Sequence, residues 1–422
     1  ATGYNVDNSC RFNSGDSPSL KDGDGSAPAG NRQKFTFSIW FKRAKLGVTQ
    51  MFAASAYSSG DEGYLYISGG DVLVWHHSSS GMGQLVTTQK FMDIGAWYHL
   101  VWSVDTTQST ASNRMKFYIN GSQVTSFGTE TYPDQNKELY WNVGGTYYPY
   151  IGRRHGGDYW DGYLAEIVHI DNAQLAATSF GEFDSDSPNI WKPIDVSGLT
   201  FGTAGYHLDF EDSSELGKDV SGQGNHFGTV ANLAATDQAT DTCTNNFATG
   251  NPLDNYYNAS TFSEGNCQIV TGSSTYSWNT GTIGLSAGKW YWETELDAES
   301  SGGSALFGIA DRPTVSATEE LGGLATTHAY LTSGNFRTNN SNTSNSVSAS
   351  PGDIIGIALN LDDNEISYYK NNTLIVAAQS ITATGTGFYF PAWGDWLDSG
   401  TVTFKCNFGN PPYANSSDAA TI

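Results

Sequence analysis

Basic residues are few in this 422-residue chain: 20 Lys and Arg stand against 43 Asp and Glu, a formal net charge of −23. A field of that sign repels polyphosphate and anionic headgroups, so nucleic acid is not an expected partner. Long apolar runs are missing as well. None approaches the roughly 20 residues a spanning helix needs, and no membrane insertion is expected. The opening ATGYNVDNSC has neither the basic nor the apolar region of an export signal. Cysteine is scarce, and Cys10, Cys243, Cys267 and Cys406 show no CxxC or CxxH spacing. That excludes a disulfide framework and a zinc site of ordinary ligand spacing, leaving free, structural thiols as the expectation. Leu, Lys, Arg and Glu, the residues long helices rely on, are sparse.

What is abundant points to strands. Aromatic residues make up 13% of the chain and Gly numbers 48, a mixture suited to aromatic strands joined by tight turns. FTFSIWFKR alternates Phe35, Phe37, Ile39 and Phe41 with Thr36, Ser38, Trp40 and Lys42, the period of a strand with one buried face. YLYIS (64–68), DVLVWHH (71–77) and WYHLVWSVD (97–105) follow at short spacing. MKFYINGSQV turns at Asn120-Gly121, a pair that tolerates the positive φ of a type I′ hairpin, and EISYYKNNTLIV turns at Asn371-Asn372. Many short strands without alternating long helices predict antiparallel sandwiches. NAQLAATSFGEF (172–183) reads as a single short helix, and TNNSNTSNSVSAS (338–350) as an exposed loop.

Two families resemble parts of this sequence. FTFSIWFKR, WYHLVWSVDTTQSTASNRMKFYINGSQV and IGRRHGGDYWDGYLAEIVHIDNAQL, over about 30 to 180, resemble laminin-G-like and concanavalin-A-like lectin domains. That resemblance implies a jelly-roll sandwich whose common task is binding carbohydrate or protein. GKWYWETEL, FGIAD, GDIIGIALNLDDNEISYYKNN, FPAW and TFKCNFG, over about 260 to 410, resemble SPRY domains, bent sandwiches that grip partners with their loops and do not catalyse. The expected fold is thus all-β: a lectin-like sandwich over 1–190, a loop-rich connector over 191–255, a SPRY-like sandwich over 256–412 and a tail at 413–422. The pairing, with the connector SFGEFDSDSPNIWKP, resembles virion-associated proteins of bacteriophages. This resemblance implies a fibre, spike or capsid decoration on the virion surface, made in the host cytoplasm. Its expected partners are other virion proteins, further copies of itself as a homo-oligomer, and host-surface or environmental glycans.

One stretch raises a competing chemistry. In KWYWETELDAES, Glu295, Asp297 and Glu299 alternate as in a retaining glucanase built on a sandwich. Strand alternation would put Glu293, Glu295, Asp297 and Glu299 on one face and Trp290, Trp292, Thr294 and Leu296 on the core face. Glu295 as nucleophile and Glu299 as acid/base would need carboxyls about 5–5.5 Å apart, from Cα atoms ~13 Å apart on a strand. The alternative is a solvated acidic strand that discourages edge pairing. A non-enzymatic chain is the expectation, since the SPRY-like block already accounts for the strand. No GxSxG elbow or GxxxxGK[ST] loop is present.

For binding, aromatic rings on loops beside polar side chains are the informative feature. Tyr159 and Trp160 in GGDYWDGY, and Trp396 in FPAWGDWLDSG, are the candidate glycan contacts, with Trp393 the more core-like of its pair. No cofactor is required. Calcium is the one ion the lectin resemblance allows, and Asp158 and Asp161 are its candidate ligands, their alternative being turn formation. KDGDGSA places Asp22, Asp24 and Ser26 in calcium-loop spacing. Ala27 and Gln33, however, stand where such a loop needs Gly and a bidentate Glu, and an EF-hand is rejected. DVSGQGN offers Asp219, Ser221 and Asn225 either as an Asx-turn loop or as a second cation candidate. His76 and His77 point to opposite faces of a strand and do not form a joint metal site.

Overall fold

The computed structural model describes residues 3–22, 27–58, 61–77, 79–145, 147, 149–257, 259–273, 276, 278–300, 304–382, 384–396 and 399–415. The chain divides into two units, Ala1–Asn246 and Phe247–Ile422. Both are antiparallel β throughout, and helix among the described residues is confined to 3₁₀ turns of three residues. None is long and apolar enough to cross a membrane. The all-β expectation is met. The expected helix at 172–183 is not: only Ala177–Ser179 coils, and Gly181–Phe183 is a strand paired with Trp191–Pro193. Thr36 accounts for part of the difference. Its hydroxyl donates to the Ala173 carbonyl and accepts from the Leu175 amide, pinning the segment extended across the sheet.

Unit 1 stacks two eight-stranded sheets. One is centred on Lys34–Arg43, with Trp97–Asp105 on one side and Gly162–Asp171 on the other. The second runs from Phe127–Thr131 through Gln84–Lys90, Val72–His77, Asp61–Ile67, Gln50–Ser58, Pro149–Ile151 and Ser19–Lys21 to Thr229–Ala231. Phe35, Phe37, Ile39 and Phe41 fill the space between the sheets with Phe52, Leu65, Trp75 and Trp102. Each such side chain gains roughly 1.5–3 kcal/mol on leaving water. The hairpin at Asn120-Gly121 forms as expected, with φ of 46° and 80°.

The strand Lys34–Arg43 is buried on both faces, not one. Beneath Trp40 lies a second apolar cluster with Val6, Val168, Ile170, Phe180, Trp191, Val196 and Phe201. Much of that layer comes from the segment expected to be a connector. Tyr206–Leu208 pairs with Gly162–Asp171, Thr229–Ala231 with Ser19–Lys21, and Gln238–Ala239 with Ser9–Phe12. The first unit therefore extends to Asn246 and takes in most of the segment expected as a connector over 191–255. Lys42 shows why this segment folds with unit 1: its buried ammonium meets the buried Asp241 carboxylate at 2.7 Å and Asn246 at 2.8 Å.

Unit 2 is a seven-stranded and a six-stranded sheet. Lys289–Glu299 lies centrally in the first, between Val402–Asn407 and Ile354–Asn360. Ala305–Ala310 is central in the second, between Phe390–Asp395 and Thr327–Leu331. The Asn371-Asn372 turn has φ of 46° and 69° and joins Glu365–Lys370 to Thr373–Ser380. Part of the expected loop at 338–350 is an edge strand, Ser341–Ser344, exposed along its length and paired with Asn335–Thr338.

Asp241→Ala leaves the Lys42 ammonium buried without its counter-charge, and such a loss costs about 3–5 kcal/mol. Urea denaturation of the variant is expected to show unit 1 destabilised on that scale. An unchanged midpoint would mean that residues 241–246 are not part of its fold.

Candidate functional site

Ser19–Lys21 lies in the second sheet of unit 1 between Pro149–Ile151 and Thr229–Ala231, and the chain then passes Asp22, whose amide donates to the Pro149 carbonyl at 3.2 Å. A small recess, about 20 Å³ and so no larger than one or two waters need, lies at this point. Asp22, Trp141, Asn142, Tyr147, Pro149 and Tyr206 are among the residues that line it. Trp141 belongs to the core and packs on Phe35, Phe37 and Trp102. Asn142 has φ of 59°, and its amide is fixed, donating to the Asn31 carbonyl while its oxygen pairs with His169 Nε2. Tyr147, 36% exposed, forms the rim.

Two polar groups of the recess make no hydrogen bond among the described residues, the Tyr206 hydroxyl fully buried and the Asp22 carboxyl mostly so. Tyr206 is 2% exposed and its hydroxyl makes no hydrogen bond. Asp22 is 7% exposed, and nothing described donates to its carboxylate; burial, then the charge of Asp219, pushes its pKa from 3.8 up to about 7. Asp219 differs. Its oxygens accept from the amides of His207, Ser221 and Asn225, so DVSGQGN is the Asx-turn loop, not a set of free cation ligands. Burial and the charges of Asp22 and Asp219 together hold the Tyr206 phenol well above its ordinary range.

The residues singled out from sequence fall elsewhere. Trp160 is fully buried, its ring 4.5 Å from Phe52 and perpendicular to Phe41. It is a core residue and not a loop contact, because its amide donates to the Gly152 carbonyl and turns the ring inward. Tyr159 is half-buried with the Arg153 guanidinium over its ring. Asp158 accepts from Arg154 Nε, and Asp161 accepts from the Ser14 amide and hydroxyl. The two carboxylates are thus held by different partners. Among the described residues no three His, Cys, Asp or Glu side chains group closely enough to hold a metal ion. Asp24 and Ser26 lie outside the described residues. Trp396 is half-buried in unit 2 with the Arg337 guanidinium 3.9 Å from its ring centre, and Trp393 is buried.

The carboxylates of KWYWETELDAES do not share a face. A bulge shifts the register between Leu296 and Ala298, so Glu295 stands opposite Lys405 while Glu299 stands opposite Val402. Directly opposed residues of an antiparallel pair lie on the same face. Val402 is in the core and Lys405 is exposed, so Glu299 turns to the inner face and Glu295 to the outer. Glu299 Oε1 accepts from the Ser304 amide and hydroxyl, the Ala305 amide and the Thr332 hydroxyl. Asp297 and Glu295 lie beside Lys405. Glu293 is buried, each of its oxygens accepting from an amide, those of Asn415 and Ala414. Trp290, expected in the core, is 45% exposed.

Residues 15–177 match the family model of the concanavalin A-like lectin/glucanases superfamily, and residues 289–411 match that of the SPRY domain. Both expected resemblances are met, and together they fit a binding or adhesion role. No curated protein matches the chain. Among solved structures, the SPRY domain of human HERC1 is similar at 17% identity, over 33% of this chain and 87% of that one, with a TM-score of 0.27. The TRIM65 PSpry domain is similar at 16%, over 38% and 91%, with 0.30. A heptameric SAP-like pentraxin from Limulus polyphemus is similar at 20%, over 40% and 78%, with 0.30.

Asp22 ties the recess to pH. Folded, its carboxyl keeps a proton up to about pH 7; unfolded, it releases it near 3.8. The stability linked to that proton is fully present below 3.8 and is lost as pH rises through 7. Asp22→Asn is therefore expected to match wild type at pH 3.5 and to exceed it at pH 8 by on the order of 1 kcal/mol, read from urea midpoints. Parallel profiles for the two proteins would rule out a buried, unpartnered carboxylate.

Proposed function

We propose that this chain is a non-enzymatic adhesion protein whose lectin-like unit binds glycans at the Asp22–Tyr206 recess. The recess is the observation that carries the reading. An exposed tyrosine on the rim and prolines offer apolar surface for the flat face of a sugar ring. A carboxylate and a phenol, both without partners, offer hydrogen bonds to its hydroxyls. A buried polar group left unpaired costs about 1–3 kcal/mol, which a hydroxyl-bearing ligand would offset. Tyr159, Trp160 and Trp396 give way to this site because their rings are buried or covered by arginine.

The proposed setting is the surface of a bacteriophage particle, as fibre, spike or capsid decoration. The pairing of a lectin-like with a SPRY-like segment supports it, as does the acidic, Gly- and Asn-rich composition. Weak single sites on many copies would gain effective concentration from being linked on one particle. A purely structural assembly protein would share the fold and the setting and lack the glycan. The hydrolase reading is disfavoured by the bulge, which sends Glu295 and Glu299 to opposite faces, whereas a retaining pair must converge to about 5–5.5 Å.

A glycan array probed with the labelled chain, clustered to raise avidity, is expected to give discrete positives. Tyr147→Ala is expected to weaken them about tenfold, the loss of one stacking contact, with the urea midpoint unchanged. An empty array at high clustering would leave the structural protein as the reading. Wild type is expected to release no reducing sugar from β-glucans. Release that disappears in Glu295→Gln would overturn the non-enzymatic reading.

A further inference from the structure

The recess is more specific than a general sugar site. Resting on the glycan reading, we propose that it selects a glycan bearing a free, protonated amine, an amino sugar such as a non-acetylated hexosamine, with the ammonium held by Asp22 and Tyr206.

The first argument is charge. The Asp22 carboxylate is 7% exposed and has no donor among the described residues. Where it is ionised, a carboxylate so placed calls for a counter-charge. Among the described residues lining the recess there is no arginine or lysine, which leaves the place of the cation to a ligand. Asp219 adds to the negative potential there, although its own oxygens are taken by backbone amides. The chain carries −23 overall, and a long-range field of that sign concentrates cationic ligands at its surface.

The second argument is the number of acceptors. An ammonium has three N–H donors and no acceptor. Two oxygens of Asp22 and the free Tyr206 hydroxyl oxygen supply three acceptors. A calcium ion needs 6–8 oxygens, and no third carboxylate joins Asp22 and Asp219 among the described residues. Among the described residues the donor set is smaller than that ion takes and sufficient for an amine. The walls fit the same ligand: Tyr147 and Pro149 present aromatic and apolar surface, which tolerates both a sugar ring and a positive charge beside it.

The test is titration calorimetry of the full chain at pH 7.4, where both the ionised carboxylate and the sugar ammonium are populated, with glucosamine, glucose, N-acetylglucosamine and Nα-acetyl-lysine amide, run on wild type, Asp22→Asn and Tyr206→Phe. Glucosamine is expected to bind about tenfold tighter than glucose or N-acetylglucosamine, the margin of one charge-assisted pair. Asp22→Asn is expected to erase that preference. Tyr206→Phe is expected to reduce it severalfold. Equal affinity for all three sugars would overturn the amine assignment and leave the glycan reading standing. Binding of the lysine amide alone would overturn the assignment to a sugar. No binding by any of the four, with the array also empty, would remove both readings together.

Discussion

The sheet centred on Lys34–Arg43 is covered on both sides, and the arrangement of unit 1 follows from that. A strand buried on one face can leave its alternate residues to water. Here Thr36, Ser38 and Lys42 lie under a second layer and must find protein partners, since an unpaired polar group in such a place costs about 1–3 kcal/mol. Each does. Thr36 fixes the chain at Ala173 and Leu175. Ser38 meets His99 Nε2, while Trp191 Nε1 donates to His99 Nδ1. Trp191 therefore fixes the His99 proton on Nε2, and burial drops the ring's pKa to about 3. Lys42 takes Asp241 and Asn246. The second layer is thus specified by polar pairing as well as by apolar contact.

The recess is a consequence of the same layering. Covering the outer face brings the chain back along Gly162–Asp171, where Tyr206–Leu208 pairs past an irregularity near Glu166, itself at φ 47°. That pairing places Tyr206 beside His169 and Phe227 and at the wall of the same opening as Asp22. The floor is Trp141, rigid because it is packed among other core rings. Polar groups held on a rigid frame keep their positions before a ligand arrives, and ordering costs on binding fall accordingly.

In unit 2 a single extra residue decides the chemistry. Strand side chains alternate with a period of two, so one bulge reverses every residue beyond it. The bulge after Leu296 turns Glu299 inward, where it receives hydrogen bonds from Ser304, Ala305 and Thr332. That carboxylate links the strand Lys289–Glu299 to the residues of the facing sheet around Ala305. Glu293, on the other face, receives two successive amides of the segment after Tyr413. Both acids serve as acceptors for backbone groups in a fold rich in turns.

Much of this was legible in the residue pattern. Alternation in FTFSIWFKR, the Asn120-Gly121 and Asn371-Asn372 turns and the shortage of helix formers determined antiparallel strands and their hairpins, because those signals are local and the backbone reads them locally. The sequence also determined that the chain is acidic and poor in chelating clusters. Only the tertiary structure decided which faces are covered, where the unit boundary falls, and that Trp160 is core. It also brought Asp22, flagged from sequence only in a rejected calcium loop, to Tyr206, not flagged at all. Their meeting depends on strand pairing between segments far apart in the chain. The bulge depends on neighbouring strands in the same way. A bulge leaves the residue types of its strand unchanged and alters only the side on which each one lies.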